Sequence, residues 1–360
     1  MTTVLVVDDS ALMRRSIRRA FEAEGDFEVH VAHDGQDALE RITALHPDVV
    51  TLDINMPVMD GLTCLSHIMT DHPVPVVMLS SLTTRGALAT FEALELGAVD
   101  FVPKPDGTVS LRLAEVVPHL VAKVRAAAGS RRARTPVRPR VGMVREQAKR
   151  PRTSPSSRDI PGVVVIGIST GGPKMLEGIV AALPADFPYP VLVAQHMPPH
   201  FTRVFAERLD AMSAVSVMEV NKAHPLHAGT VYLGAGGTDL VVERRLGRLV
   251  AAPMTEDATL WHPSVDRLVE SAMHVVPADR IIGVQMTGMG NDGAVRFAEL
   301  HQRGGHTVAE SERSSVVFGM PRELIELGGA SVVLDGSDIA GHLIERVTLA
   351  QTARHRLASA

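Results

Sequence analysis

The chain has 360 residues, a formal net charge of −5 and a single cysteine. That length suits two ordinary domains rather than one core. The lone Cys64 excludes an intramolecular disulfide or a cysteine metal cage and reads as a small buried hydrophobe, while the acidic balance argues against a nucleic-acid binder. Aromatics make up only 3%, so the core has to be built from Val, Leu, Ile, Ala and Met. No apolar stretch reaches membrane-spanning length, and Met1 leads into a strand-like VLVV with no charged leader. A cytoplasmic protein without membrane insertion is therefore expected.

Apolar runs at Val4–Val7, Val29–Ala32, Val49–Asp53, Val76–Ser80 and Asp100–Val102 alternate with amphipathic stretches at Met13–Glu24, Asp37–Leu45, Leu62–Thr70 and Gly86–Leu96. Five strands alternating with helices predict a doubly wound, flavodoxin-like parallel sheet over residues 1–124. Residues 125–160 carry many arginines, among them Arg131, Arg132, Arg134, Arg138 and Arg140, broken by Pro136, Pro139, Pro151 and Pro155. This composition reads as a basic, solvated linker. The alternation resumes over 161–352, with strands expected at Val163–Ile168, Val191–Gln195, Val215–Glu219 and Ile281–Met286. Residues Thr230–Ala252 look like short antiparallel strands turning at Gly236-Gly237 and near Gly247. The fold class is thus α/β: two doubly wound parallel-sheet domains, the second with an antiparallel hairpin, joined by the linker.

In the first domain, Asp8 and Asp9 follow the first strand and Asp53 ends the third, so their carboxylates converge at one sheet edge. Such a cluster repels itself unless a hard cation joins it, and oxygen ligands of this kind suit Mg²⁺. Ser80 ends the fourth strand and Lys104 follows the fifth, where both would face the same pocket and stabilise a phosphoryl group on Asp53. Singly, each has an ordinary reading as a helix cap or a surface lysine. These residues, with Met56-Pro57, Asp60-Gly61 and Pro105, resemble the receiver domain of two-component response regulators. The resemblance implies that Asp53 accepts phosphate from a histidine kinase. It also implies that Asp9, Asp53 and the Asn55 carbonyl ligate Mg²⁺, with Asp8 acting through water, and that Phe101 is the aromatic that moves on phosphorylation.

In the second domain, Gly167-Ile168-Ser169-Thr170-Gly171 fits a strained-serine turn between strand and helix, with Pro173 in the helix's first turn. Alone, this turn could equally cradle a phosphate. His196 and Asp292 also follow strands, however, so a Ser–His–Asp relay can assemble at one edge. The chain order Ser, His, Asp differs from the α/β-hydrolase order Ser, Asp, His. Gly288 and Gly290 keep the backbone bare around Met289, whose amide could join an oxyanion hole. A metal reading is weak: His196 and His200 are separated by two prolines, and His224 and His227 lie in a turn-like stretch.

The runs Gly-Ile-Ser169-Thr-Gly-Gly, Gln195-His196-Met197-Pro198, Trp261-His262-Pro263-Ser264-Val265-Asp266 and Thr287-Gly-Met-Gly-Asn-Asp292-Gly resemble the chemotaxis protein-glutamate methylesterase family. That resemblance implies Ser169, His196 and Asp292 as the triad and the Met289 amide in the oxyanion hole, with Thr170 and His262 shaping the site. It implies hydrolysis of glutamyl methyl esters on chemoreceptors without a cofactor, deamidation of receptor glutamines, and an unphosphorylated receiver that covers the catalytic face. A DNA-binding regulator is the first rival, but no helix-turn-helix pattern appears. A nucleotide module lacks both G-x-G-x-x-G and a P-loop lysine. A non-catalytic adaptor with an intact receiver and a vestigial esterase is the third rival, and the intact triad argues against it.

Overall fold

The computed structural model describes residues 1–104, 109–130, 160–255 and 261–358. The chain divides into two compact units, Met1–Met143 and Val144–Ala360. The arginine- and proline-rich stretch over 131–159, and Pro105 of the receiver-like pattern, lie outside the described residues.

The first unit runs β1 (Thr2–Val7), α1 (Ala11–Glu24), β2 (Phe27–Ala32), α2 (Gly35–Leu45), β3 (Val49–Asp53), α3 (Gly61–Asp71), β4 (Val76–Ser80), α4 (Thr84–Leu96), β5 (Asp100–Pro103) and α5 (Val109–Ala128). Its sheet is parallel, in the order β2-β1-β3-β4-β5. Near-continuous Val and Leu in β1, β3 and β4 follow from burial on both faces. Side chains set the helix starts: Ser10, Asp34, Asp60 and Thr83 each accept a backbone N–H three residues on. Helix α1 buries Met13, Ile17 and Phe21, the i, i+4, i+8 stripe that its sequence predicts. Helix α5 continues past the expected boundary at 124. Val124 and Ala127 are buried, and Arg125 pairs with Glu24 and Asp26.

The second unit contains β6 (Val163–Ile168), α6 (Gly172–Ala182), β7 (Val191–Gln195), α7 (Phe201–Met212), β8 (Ser216–Val220), β9 (His224–Pro225), β10 (Thr230–Gly234), β11 (Asp239–Arg245) and β12 (Arg248–Met254). It continues with α8 (Val265–Val275), β13 (Ile281–Gln285), α9 (Ala294–Gln302), β14 (His306–Glu310), α10 (Met320–Glu326), β15 (Val332–Leu334) and α11 (Gly336–Ala358). Seven strands form a parallel sheet, β15-β14-β13-β6-β7-β10-β8, and a small antiparallel sheet has the order β11-β12-β9.

One expectation is corrected here. Thr230–Gly234 is not part of an antiparallel group; it pairs parallel with both β7 and β8. Its five residues are buried throughout, so the run carries no alternation that could tell a central parallel strand from a hairpin arm. The hairpin proper is β11–β12, turning at Leu246-Gly247, both at positive φ. Strands β14 and β15, not read from the sequence, extend the sheet beyond β13. No described helix is long and apolar enough to cross a membrane.

Candidate active site

Each unit gathers its expected residues at the carboxyl edge of its own sheet. In the first, β1 and β3 are neighbours, with Val7 opposite Leu52, which brings Asp8 and Asp9 beside Asp53. One ligand oxygen from each of the three lies within 4.8 Å of the others. Asp8 and Asp53 are buried and Asp9 is exposed. Lys104 Nζ stands 2.7 Å from Asp8 Oδ2 and 2.6 Å from Asp53 Oδ2. Gly61 makes room for this edge, since a Cβ there would collide with the Asp53 carbonyl.

Burial pushes the Asp53 carboxyl up to about 6, and the Asp8 charge adds to this against the pull of Lys104. Burial opposes the Lys104 ammonium, but the charges of Asp53 and Asp8 outweigh it and raise its pKa. A single ammonium paired with two of three clustered carboxylates leaves net negative charge in a pocket of oxygen donors. That donor set fits a hard divalent cation such as Mg²⁺.

Asn55, in the exposed loop after β3, donates its backbone N–H to Asp53 Oδ1 at 3.3 Å. Phe101 is buried, with Lys123 Nζ 5.3 Å from its ring centroid and donating to its carbonyl. Ser80 departs from the simple expectation. Its hydroxyl donates to Gly86 O (3.1 Å) and accepts from Thr90 Oγ1 (2.7 Å), both on α4. A fully buried hydroxyl has to find partners, and those at hand lie on α4.

In the second unit the sheet order β13-β6-β7 sets the geometry. Ser169 follows the central strand β6, His196 follows β7 on one side, and Asp292 sits in the loop after β13 on the other. The turn after β6 is closed by Gly172 N donating to Ser169 O, while Ser169 N donates to Thr287 O. Gly171 takes φ 76° with Val316 packed where a Cβ would stand, so only glycine fits. His196 Nδ1 lies 3.1 Å from Ser169 Oγ, and His196 Nε2 lies 2.8 Å from Asp292 Oδ2.

Asp292 also accepts from Val265 N (2.7 Å), Asp266 N (2.9 Å) and Ser264 Oγ (3.1 Å), at the amino end of α8. Burial raises its pKa, but the hydrogen bond and charge of His196 together with the α8 amides overcome this and hold it below the usual carboxylate value. The site therefore keeps an ionised carboxylate behind the imidazole.

Trp261 stacks on His196 from the side. His262 Nδ1 lies 3.0 Å from Oδ1 of the buried Asp239, which also accepts from Ser264 N. Thr170 is buried, and its carbonyl accepts from Thr287 Oγ1. Met289 follows Gly288, whose bare Cα faces Ser169: a Cβ there would lie 2.7 Å from Ser169 Cβ. His200 begins α7 and His224 lies in β9. Among the described residues, the group of His, Cys, Asp or Glu side chains able to hold a metal is the Asp8–Asp9–Asp53 set. Sequence reasoning did not find Asp239, Ser264 or Glu310 as supports. Glu310 is fully buried and accepts from Thr287 N at 2.8 Å; a charged residue closing an apolar strand was its only signal.

Comparison with known proteins adds a second line. Residues 164–343 match the family model described as CheB methylesterase, and residues 4–114 match the response regulator receiver domain. The chain is 52% identical over 354 residues to protein-glutamate methylesterase/protein-glutamine glutaminase 3 of Rhodospirillum rubrum, covering 95% of each. It is 47% identical to protein-glutamate methylesterase/protein-glutamine glutaminase 2 of Carboxydothermus hydrogenoformans, covering 96% of this chain and 98% of the relative. The crystal structure of the Thermotoga maritima CheB methylesterase catalytic domain is similar at 38% identity and a TM-score of 0.49, covering 51% of this chain and 97% of that one.

Proposed function

The chain belongs to the CheB methylesterase family, and from that premise we propose that it is a phosphorylation-activated serine hydrolase that removes methyl groups from glutamyl esters of chemoreceptors. In this reading, residues 1–124 are the receiver, 125–160 the linker and 161–352 the catalytic domain, and the protein works in the cytoplasm.

The observation that carries the reading is the relay from Ser169 Oγ through His196 to Asp292, at 3.1 and 2.8 Å. Asp292 accepts a hydrogen bond from the Nε2–H of His196, which leaves the Nδ1 lone pair facing Ser169. Ser169 Oγ attacks the ester carbonyl and its proton passes to His196 Nδ1. The Met289 amide is the proposed donor to the carbonyl oxygen as it becomes negative, and loss of one such donor typically costs about 3–4 kcal/mol. His196 then protonates the leaving methanol. Water, deprotonated by the same nitrogen, cleaves the acyl-serine and frees the glutamate. No cofactor enters these steps. The relatives' names include glutaminase, and the same sequence with ammonia leaving would deamidate a glutamine.

Control is proposed to begin at Asp53, whose carboxylate takes a phosphoryl group from a histidine kinase. Asp8, Asp9, Asp53 and the Asn55 carbonyl would hold a Mg²⁺ ion, which when bound supplies positive charge against the carboxylates and the phosphoryl oxygens. Lys104 offers a second cation, and Ser80 and Phe101 are the groups expected to shift with phosphorylation.

The deciding experiment measures methanol release from a methylated chemoreceptor cytoplasmic fragment, with Mg²⁺ and a small phosphodonor. Wild type should release methanol and Ser169→Ala none, and Asp53→Asn should lose the stimulation by phosphodonor while keeping the basal rate. Equal release from Ser169→Ala would reject the proposed nucleophile.

A further inference from the structure

Strand β6, which delivers Ser169, is flanked by β7 and β13, and both flanking strands end in a buried glutamine. Gln195 is opposite Ile168 and Gln285 is opposite Gly167, at 2% and 0% exposure. The two amides perform matching tasks. Gln195 Nε2 donates to Ser169 O (3.1 Å) and His196 O (3.2 Å), and Gln285 Nε2 donates to Asp292 O (2.8 Å). Each of the three triad residues thus has its main-chain carbonyl held by one of two side chains.

The arrangement is costly for stability. Oε1 of each glutamine is buried with no hydrogen-bond partner, and a half-satisfied buried amide is worse for stability than an apolar side chain of the same shape. A Cβ on Gly172 would fall on Gln195 Oε1, whereas on Gly167 and Gly293 it would meet Val265 Cγ1 first and Gln285 Oε1 next, at 2.9 and 2.8 Å. Gly171 owes its identity to φ and to Val316, whereas Gly172 has an ordinary φ. Two orphaned oxygens and a bare Gly172 are costs that a methionine at either position would avoid; what it would remove is the donor to the carbonyls of Ser169, His196 and Asp292. Local rules broken together beside a reactive centre point to function.

We propose that Gln195 and Gln285 are positioning residues of the hydrolase: their amide donors fix the backbone of Ser169, His196 and Asp292 so that the relay distances are held without help from the substrate. Gln195 sets the nucleophile against its base, and Gln285 sets the carboxylate behind the imidazole. Neither touches the reacting atoms. This rests on the reading of Ser169 as nucleophile.

The test uses the full chain and two readouts: steady-state methanol release, and labelling of Ser169 by a fluorophosphonate, which needs no receptor. Wild type and Ser169→Ala examine the esterase reading itself, since failure there removes release and labelling from the wild type. For Gln195→Met and Gln285→Met, kcat and the labelling rate should both fall roughly 10- to 100-fold, as expected for a reacting group displaced by a fraction of an ångström to about 1 Å. KM should stay within about twofold, because lost transition-state geometry lowers kcat without changing ground-state binding. A cooperative thermal melt shows that the loss is not one of folding. If a methionine variant does not fold, the shape-matched Gln→Glu variant is measured in alkaline buffer, where the donor is replaced by an ionised oxygen, and the same loss is expected. Folded variants with wild-type kcat and labelling, or with a change confined to KM, would overturn the proposal.

Discussion

Trp261 lies flat beside His196, with ring centroids 5.0 Å apart and planes within 4° of parallel. It is the only tryptophan in the chain, so its indole reports on the proposed base directly. The stack restrains the imidazole from the side while Ser169 and Asp292 hold it at its two nitrogens. Aromatic pairs of this kind contribute about 0.5–1.5 kcal/mol beyond area burial, so Trp261→Leu should lower kcat by roughly 3- to 10-fold. His196→Ala should shift the tryptophan emission, because it uncovers the face of the indole that the imidazole stacks on. Identical emission from the two proteins would mean that the indole does not rest on the imidazole.

Asp292 connects catalysis to the stability of its unit. Four donors converge on its two oxygens: His196 Nε2, Val265 N, Asp266 N and Ser264 Oγ. An asparagine has one acceptor oxygen and would turn an NH₂ group toward donors. Asp292→Asn should lower kcat by about 10⁴-fold through loss of the tautomer and cost about 1–3 kcal/mol from the stranded donors. Because the folded carboxyl sits below its ordinary 3.8, its contribution is fully present above that value and disappears as pH falls through the lower folded-state value. Melting curves of wild type and Asp292→Asn should converge in that acid window. Curves separated by a constant gap down to the lowest pH would contradict the assignment.

Much of this was legible in the sequence because period and chemistry agreed. VVVIGI and VLVAQ are strands at the residues expected, and Asp8, Asp53, Ser169 and His196 stand at strand ends, with Asp292 in the loop beyond β13, where parallel topology brings such edges together. What the sequence could not show was partner choice. TVYLG reads alike as a hairpin arm or as the central parallel strand β10 it forms. The turn of the Ser80 hydroxyl toward Thr90 depends on which α4 residues lie beneath it. Gln195 and Gln285 each fall within a run read simply as a strand, and only the strand order places them on either side of the nucleophile.

Helix α6 holds two glycines that should answer alanine in opposite ways. At Gly178, exposed, with nothing within 4 Å of a would-be Cβ, alanine should stabilise by about 1 kcal/mol through helix propensity. At Gly172, the first residue of the helix, a Cβ would fall on Gln195 Oε1 and lie 2.7 Å from Ile168 Cγ1. Gly172→Ala should push Gln195 off the Ser169 carbonyl and lower kcat, while Gly178→Ala leaves kcat unchanged and raises Tm. Thermal melts and methanol release on the two variants decide it, and equal behaviour would mean that the space around Gln195 Oε1 is not needed.

The acidic edge of the first unit should show the reverse pH behaviour from Asp292. Burial, with Asp8 adding to it, raises Asp53 from 3.8 to about 6 despite the Lys104 pair. A folded-state value above the unfolded one means that ionised Asp53 opposes folding. The penalty is absent below 3.8, grows through the window up to about 6, and is complete above it. At 1.36 kcal/mol per pKa unit the full penalty is roughly 3 kcal/mol. Asp53→Asn should thus raise the melting temperature of this unit at neutral pH in metal-free buffer, and the gain should shrink below pH 6. Mg²⁺ should stabilise the wild type by neutralising the same carboxylates, and should stabilise Asp53→Asn less. Calorimetry of the full chain with EDTA or Mg²⁺ reads both effects. An Asp53→Asn transition below the wild type at neutral pH, without metal, would mean that Lys104 more than offsets the burial of Asp53.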